Sequence, residues 1–256
     1  GTCPFITTWK TDNPGGSASN QITIPTNGGG YNYDVDWGDT STSSGQTGDS
    51  THTYSSPGTY TVKITGTFPR IYFCNNGDKD KILTIEQWGA NPWTSMDCAF
   101  RGVSNLSIPA TDTPDLTNVT SMRNIFSSTA NFNSDIGSWD VSHVTDMQNA
   151  FYYAASFNSD IGAWDVGSVT NMLGMFVGAG SFNQPIDSWD VSSVTTMSNM
   201  FVGAASFNQP VNSWHVGQVT NMIAMFAFTD DFNQSLSSWD VGSVTDMSYM
   251  FARALS

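Results

Sequence analysis

Trp139, Trp164, Trp189, Trp214 and Trp239 stand 25 residues apart, and Phe126, Phe151, Phe176, Phe201, Phe226 and Phe251 keep the same step. The columns from Val144 to Val244, Met122 to Met247 and Phe132 to Phe232 share it. A period in the range of roughly 20–50 residues is the signature of stacked supersecondary units, none of which can bury its apolar face alone. A single coil buries about eight apolar side chains, at roughly 1.5–3 kcal/mol for each large one. Ordering its backbone costs roughly 1–2 kcal/mol per residue. Stacking must therefore supply the stability, and the chain reads as a repeat array.

Within a coil, Trp189 and Val191 flank Asp190 as a short strand with its apolar side chains turned inward. Val194, Met197, Met200 and Phe201 follow at spacings of three and four, which predicts a short helix or 3₁₀ turn. Gly203 and Ala204 permit a corner, Phe207 returns inward and Pro210 interrupts. Asn133, Asn158, Asn183, Asn208 and Asn233 form a further column, suited to bonding between neighbouring coils. The first, degenerate coil begins near Trp88, and 88–256 is the expected array. Its end at Ser256, one residue short of the next expected Phe, predicts that the sequence is part of a longer protein.

Residues 1–68 lack the period. TTWK around Trp9, Gln21–Pro25, Tyr31–Trp37 and Thr59–Gly66 read as strands separated by Gly, Ser and Asn clusters, an all-β sandwich. Residues 69–87 are expected to be a connector that caps the array, with short strands at Ile71–Phe73 and Ile82–Ile85. The formal net charge is −14, and no Lys or Arg lies between Arg123 and Arg253, where eleven Asp residues occur. That argues against nucleic acid and anionic membrane as partners. No apolar run approaches the ~20 residues needed to cross a bilayer.

Three groups are candidates for chemistry. On the exposed side of the expected strand, Ser138 and Asp140, Asp165, Ser188 and Asp190, His215, and Asp240 fall in repeated columns. Their stacked carboxylates would repel one another, and salt or Ca²⁺ would relieve that. They form either a binding surface or a solvated, solubilising face. Asp34, Asp36 and Asp39 bring three carboxylates around one turn and suit Ca²⁺; alternatively Asp36 and Asp39 bond turn amides while Asp34 is solvated. No cofactor is required, and Ca²⁺ is the one the residues allow. Cys74 and Cys98, 24 residues apart, would sit on neighbouring coils ~4.8 Å apart, within reach of a disulfide. A Cys74–Cys98 bridge and two free buried thiols both fit. The Met columns, beside Phe at fixed spacing, are core rather than a soft-metal site. No HExxH, Walker or GxSxG motif occurs, and repetition argues against a single acid–base pair, so no enzyme is expected.

Trp37-Gly38-Asp39, His52, Tyr54, Pro57-Gly58, Tyr60 and Val62 resemble the polycystic-kidney-disease (PKD) domain, which implies an immunoglobulin-like sandwich. Ser188-Trp189-Asp190-Val191-Ser192, Val194-Thr195, Met197, Met200-Phe201, Ala204 and Ser206-Phe207-Asn208-Gln209 resemble the repeats of BspA-like leucine-rich-repeat surface proteins. Together these resemblances imply a mainly β chain: an immunoglobulin-like sandwich, then a leucine-rich-repeat-like solenoid of 25-residue coils with short strands and short helical turns. They place the Ser/Asp columns on its concave face. They further imply an extracellular, cell-surface protein that binds or adheres to a protein or glycan. The alternative is a structural stalk or recognition module of a larger secreted enzyme.

Overall fold

The computed structural model describes residues 3–255; Gly1, Thr2 and Ser256, at the outer bounds of the two expected domains, lie outside the described residues. Regular strands are confined to the first third of the chain: β1 (Phe5–Lys10), β2 (Gln21–Ile24), β3 (Asn32–Asp36), β4 (Thr42–Gln46), β5 (Ser50–Thr53), β6 (Thr59–Thr67) and β7 (Ile82–Gln87). They form a five-stranded sheet in the order β4-β3-β6-β1-β7 and a two-stranded ribbon of β2 and β5. All pairings are antiparallel. Alternation puts Phe5 and Trp9 of β1, Tyr33 and Val35 of β3, and Val62 and Ile64 of β6 into the core. Ile22 and Ile24 of the ribbon join the same core.

This corrects the expected fold class. Two comparable sheets, as in an immunoglobulin-like sandwich, do not form; one sheet of five is accompanied by a ribbon of two. Residues 69–87 are not a separate connector, because β7 completes the large sheet beside β1. Its other edge opens the stack: Ile85 N–H donates to Ser107 C=O at 3.0 Å and Ser107 N–H to Leu83 C=O at 2.9 Å. Ile71–Phe73 is no strand. Phe73 and Asn75 instead donate to Ala99 and Arg101 of the next coil.

The stack itself overturns the expected coil. Among the described residues no helix forms, and no strand follows Gln87. The short strands and short helical turns expected of each coil are therefore not what these residues make. Each coil meets the next through a single parallel bridge, running Ser121, Asp146, Asn171, Thr196, Asn221, Asp246. The hydrogen bonds give the physical reason. Met147, Asn149, Phe151 and Tyr153 donate to Asn171, Leu173, Met175 and Val177 of the following coil, at 2.6–3.0 Å. The amides between them, on Ala150, Tyr152 and Ala154, close turns onto Met147, Asn149 and Phe151, three residues back. A helix would spend every amide along its own axis. Here every second amide is spent on the neighbour, and the apolar spacing of three and four arises from consecutive tight turns. Two left-handed residues per coil make this possible, such as Asn149 (φ 55°) with Tyr153 (φ 53°) and Gly174 (φ 62°) with Gly178 (φ 66°).

The core follows the columns. Phe151 stacks on Phe157 within its coil, with centroids 4.0 Å apart, and on Phe176 of the next at 5.5 Å. Met147, Met172, Met197 and Met222 are fully buried beside them. Trp139, Trp164, Trp189 and Trp214 point inward. Each buried indole needs an acceptor, and Trp164, Trp189, Trp214 and Trp239 find it in the carbonyl of Ile136, Ile161, Ile186 or Val211, at 2.9–3.1 Å. The Asn column stitches coils together, since Asn183 N–H donates to Asn158 Oδ1 at 2.9 Å and Asn208 N–H to Asn183 Oδ1 at 3.0 Å.

Candidate binding face

Coil spacing differs across the stack and decides which face is which. Along the bridge ladder, backbone bonds backbone directly, as in strands ~4.8 Å apart. Successive rings are 5.5–5.8 Å apart in the Phe151 column, 5.9–6.1 Å in the Phe157 column and 6.4–6.5 Å from Trp189 to Trp239. Where the backbones are too far apart to bond, side chains bridge them: the Asn oxygens, the indoles, and Ser188 Oγ donating to Gly162 C=O at 3.0 Å. The stack therefore bends with the bridge ladder on its inner side and the Trp column on its outer side.

The Ser/Asp columns accordingly sit on the outer, not the concave, face. Ser138, Asp140, Asp165, Ser188, Asp190, His215 and Asp240 are all exposed there, in turns rather than strands. Asp140, Asp165, Asp190 and Asp240 each accept the amide two residues on, from Ser142, Gly167, Ser192 and Gly242, at 3.0–3.1 Å. Bonds from the Ser142 and Ser192 hydroxyls and amides hold the Asp140 and Asp190 carboxyls below the usual range. Neighbouring carboxylates do approach, since a Cβ at Gly167 would lie 3.2 Å from Asp165 Oδ1 and 3.7 Å from Asp190 Oδ2. For Asp140 and Asp190 the local turn outweighs repulsion from neighbours.

For the other two groups the structure decides between the alternatives left open, against the Ca²⁺ site and against the disulfide. Asp34, Asp36 and Asp39 do not converge, and no group of three potential metal ligands exists among the described residues. Asp34 accepts Gly45 N–H at 2.8 Å, Asp36 accepts Gly38 N–H at 3.0 Å and pairs with Lys63 at 3.5 Å, and Asp39 accepts Ser41 N–H at 3.0 Å. Each carboxylate is already engaged by its own strand or turn. Cys74 and Cys98 are free thiols, not a disulfide. They do lie on adjacent coils, with Cys74 N–H on Cys98 C=O at 3.0 Å. Burial and the neighbouring Cys74 push the Cys98 thiol up to about 11. Against burial, bonds with Cys98, Tyr72 and Arg101 draw Cys74 down.

Ser41, His52 and Asp39 meet without having been grouped by sequence, and the meeting is not a catalytic relay. Ser41 Oγ at 3.2 Å and Asp39 Oδ2 at 2.8 Å share the same His52 nitrogen, Nε2. A relay needs the acid and the nucleophile on opposite ring nitrogens. With His52 stacked on Trp37 at 4.9 Å, the cluster braces the turn after β3.

Two grooves remain. One, of about 370 Å³, lies on the sheet and is lined by Asp34, Asp36 and Lys63 among others; Lys63 pairs with Asp36 and leaves Asp34 as the uncompensated charge. The other, of about 330 Å³, lies on the inner face of the stack, lined by Asn149, Tyr152, Leu173, Gly174, Val177, Asn199 and Val202. It crosses three coils and carries no charge. Its columns are the ones the repeat leaves free: Gln148, Leu173 and Ser198 are equivalent, as are Asn149, Gly174 and Asn199. Beside it runs the column Ser128, Tyr153, Gly178, Gly203, Phe228, Arg253, left-handed at every member, with φ 53–68°. Such a φ costs an L-residue other than Gly about 1–2 kcal/mol. Tyr153 and Phe228 nonetheless hold it, and the two residues are 54% and 46% exposed.

No curated protein and no solved structure matches this chain. One family model, described as "Mycoplasma protein of unknown function, DUF285", matches residues 94–193 and 181–256, which together make up most of the coil stack. The chain belongs to the DUF285 family.

Proposed function

We propose that this chain is a non-enzymatic binding module, displayed outside the cell, which recognises a protein or glycan through the inner face of its coil stack. The observation that carries this reading is the division of the repeat into two kinds of column. Trp, Val, Met, Phe and Asn recur because every coil needs them for burial or stitching. The columns of Leu173, Asn149 and Tyr152 vary from coil to coil and line an open groove. In a stack, positions freed from packing are where individual recognition can be written. Among the described residues no helix is long and apolar enough to cross a membrane.

The test is an array of extracellular-matrix proteins and glycans probed with the whole chain, with and without Ca²⁺, beside Val177→Asp. That change puts a charge into the groove. Binding by the wild type that Val177→Asp abolishes supports the reading. Binding untouched by Val177→Asp but lost on Asp165→Asn returns the site to the outer face. No binding at all favours a spacer role within a larger secreted protein.

A further inference from the structure

We infer that Tyr153 and Phe228 bracket a subsite for a neutral oligosaccharide, with Gly203 as its bare floor. This rests on the binding reading above and names its ligand class. The column runs one residue per coil; glycine holds it at Gly178 (φ 66°) and Gly203 (φ 68°), and Ser128 (φ 61°) and Arg253 (φ 55°) hold it without glycine. Tyr153 and Phe228 hold it at φ 53° and 56°. Both also leave much of their rings in water. Backbone strain and exposed aromatic area are each unfavourable to folding, and neither is recovered by packing into the core. Left-handed backbone is shared by every coil, so it is the exposed aromatic area beside an open groove that points to function.

The local geometry says what fits. The Tyr153 ring lies across Gly178, where a Cβ would come within 2.7 Å of Cδ1 and 2.9 Å of Cε1. Tyr152 supports it edge-on, with centroids 4.6 Å apart. Nothing but Gly178 backbone lies within 4 Å of a Cβ built at Gly203. On the far side the Arg253 guanidinium stands over the Phe228 ring at 5.6 Å. Tyr153 and Phe228 are three coils apart, roughly 15 Å at about 4.8 Å per coil. The ligand is thus elongated and lies along the stack.

Its chemistry follows by matching. The adjoining groove offers apolar surface from Leu173, Val177 and Val202 and neutral amides from Asn149 and Asn199. Sugar rings present apolar C–H faces to aromatic platforms and hydroxyl edges to amides, which both donate and accept. Polyanions are repelled by the surrounding acidic coils. An extended peptide cannot add as a strand, because Phe151, Tyr153 and Gly178 already donate their amides to the next coil.

The experiment titrates the full chain with cello-, xylo-, malto- and chito-oligosaccharides of two to six units by calorimetry, with thermal melts alongside. Tyr153→Gly and Phe228→Gly install the residue the column itself uses. The expected result is binding to one series that strengthens with length and then levels off. Each variant should weaken it at least tenfold while melting above the wild type, because left-handed strain is relieved. A merely structural aromatic would lower the melting temperature when removed. No binding in any series overturns the inference, whatever the melts show. Capture of a matrix protein but no sugar, lost in both variants, overturns the ligand class and leaves the binding face standing.

Discussion

The sheet unit and the coil stack meet at β7 and bury their side chains by opposite economies. In the sheet unit each buried group is used once, in a setting made for it alone. Lys81 is fully buried and donates to Ser17 C=O, Ser17 Oγ, Ala18 C=O and Gln21 C=O at 2.8–3.1 Å. Asp78 beside it accepts Ser17 N–H and Thr23 N–H at 2.9 and 2.7 Å, and tethers the ribbon to the turn before β7. In the stack one solution is copied, down to the indole bond that links each Trp to the coil before. At the junction neither rule holds: Trp88 and Trp93 are fully buried, and their indole N–H groups have no partner. Unique networks fail as wholes, whereas repeated ones fail one coil at a time.

Removing half of the buried pair tests the first kind of network. Asp78→Ala strands the Lys81 charge and orphans the ribbon amides, and should cost about 5 kcal/mol. Chemical denaturation should show the ribbon lost with it; a loss below about 1 kcal/mol would mean that the carbonyls alone satisfy Lys81.

For the copied network, Trp189→Ala opens a cavity and leaves Ile161 C=O without its donor, at a cost of about 4 kcal/mol. Trp239→Ala should cost less, because Trp239 is only partly buried. Equal costs at the two positions would break the link between burial and stability along the stack.

Asp39 offers a pH handle confined to the sheet unit. Burial opposes its ionisation, yet bonds from Ser41 and His52 prevail and hold it at about 2, against an ordinary 3.8. The folded value lies below the unfolded one, so its contribution is complete above about pH 4 and is lost as pH falls toward 2. Asp39→Asn should destabilise by roughly 1 kcal/mol at neutral pH. Melts from pH 7 down to 2 should show that gap closing; a gap still open at pH 2 would assign the effect to packing.

The smallest effect is expected on the outer face. Because these carboxylates are held by their own turns, millimolar Ca²⁺ and Asp165→Asn should each change stability by less than about 0.5 kcal/mol. A large Ca²⁺ shift that Asp165→Asn removes would restore the outer face as a cation site.

Much of the stack was legible because burial is written as periodicity. The inward Trp, Met and Phe columns and the stitching role of Asn183 all follow from the 25-residue step. The strands around Trp9, Val35 and Ile64 follow from alternation. β4 and β5 escaped notice because Thr42–Gln46 and Ser50–Thr53 are polar edge and ribbon segments, with little apolar alternation to announce them. The helical turn was misread because consecutive tight turns and a helix share spacings of three and four. The groove left one trace in sequence, the irregular run Tyr153, Gly178, Gly203, Phe228 within an otherwise regular alignment.

Sequence by itself therefore determined that the chain must stack, with what period, and which side chains the stack encloses. Those are questions of apolar content and spacing, which hydrophobic burial answers without reference to detail. Tertiary structure alone decided where each amide goes, and with it the absence of helix. It also decided which side of the stack is the tight one, and that Tyr153 and Phe228 stand out from it on left-handed backbone. Hydrogen-bond partners 24 residues away and the sign of φ depend on the neighbouring coil being in place. No single coil carries that information.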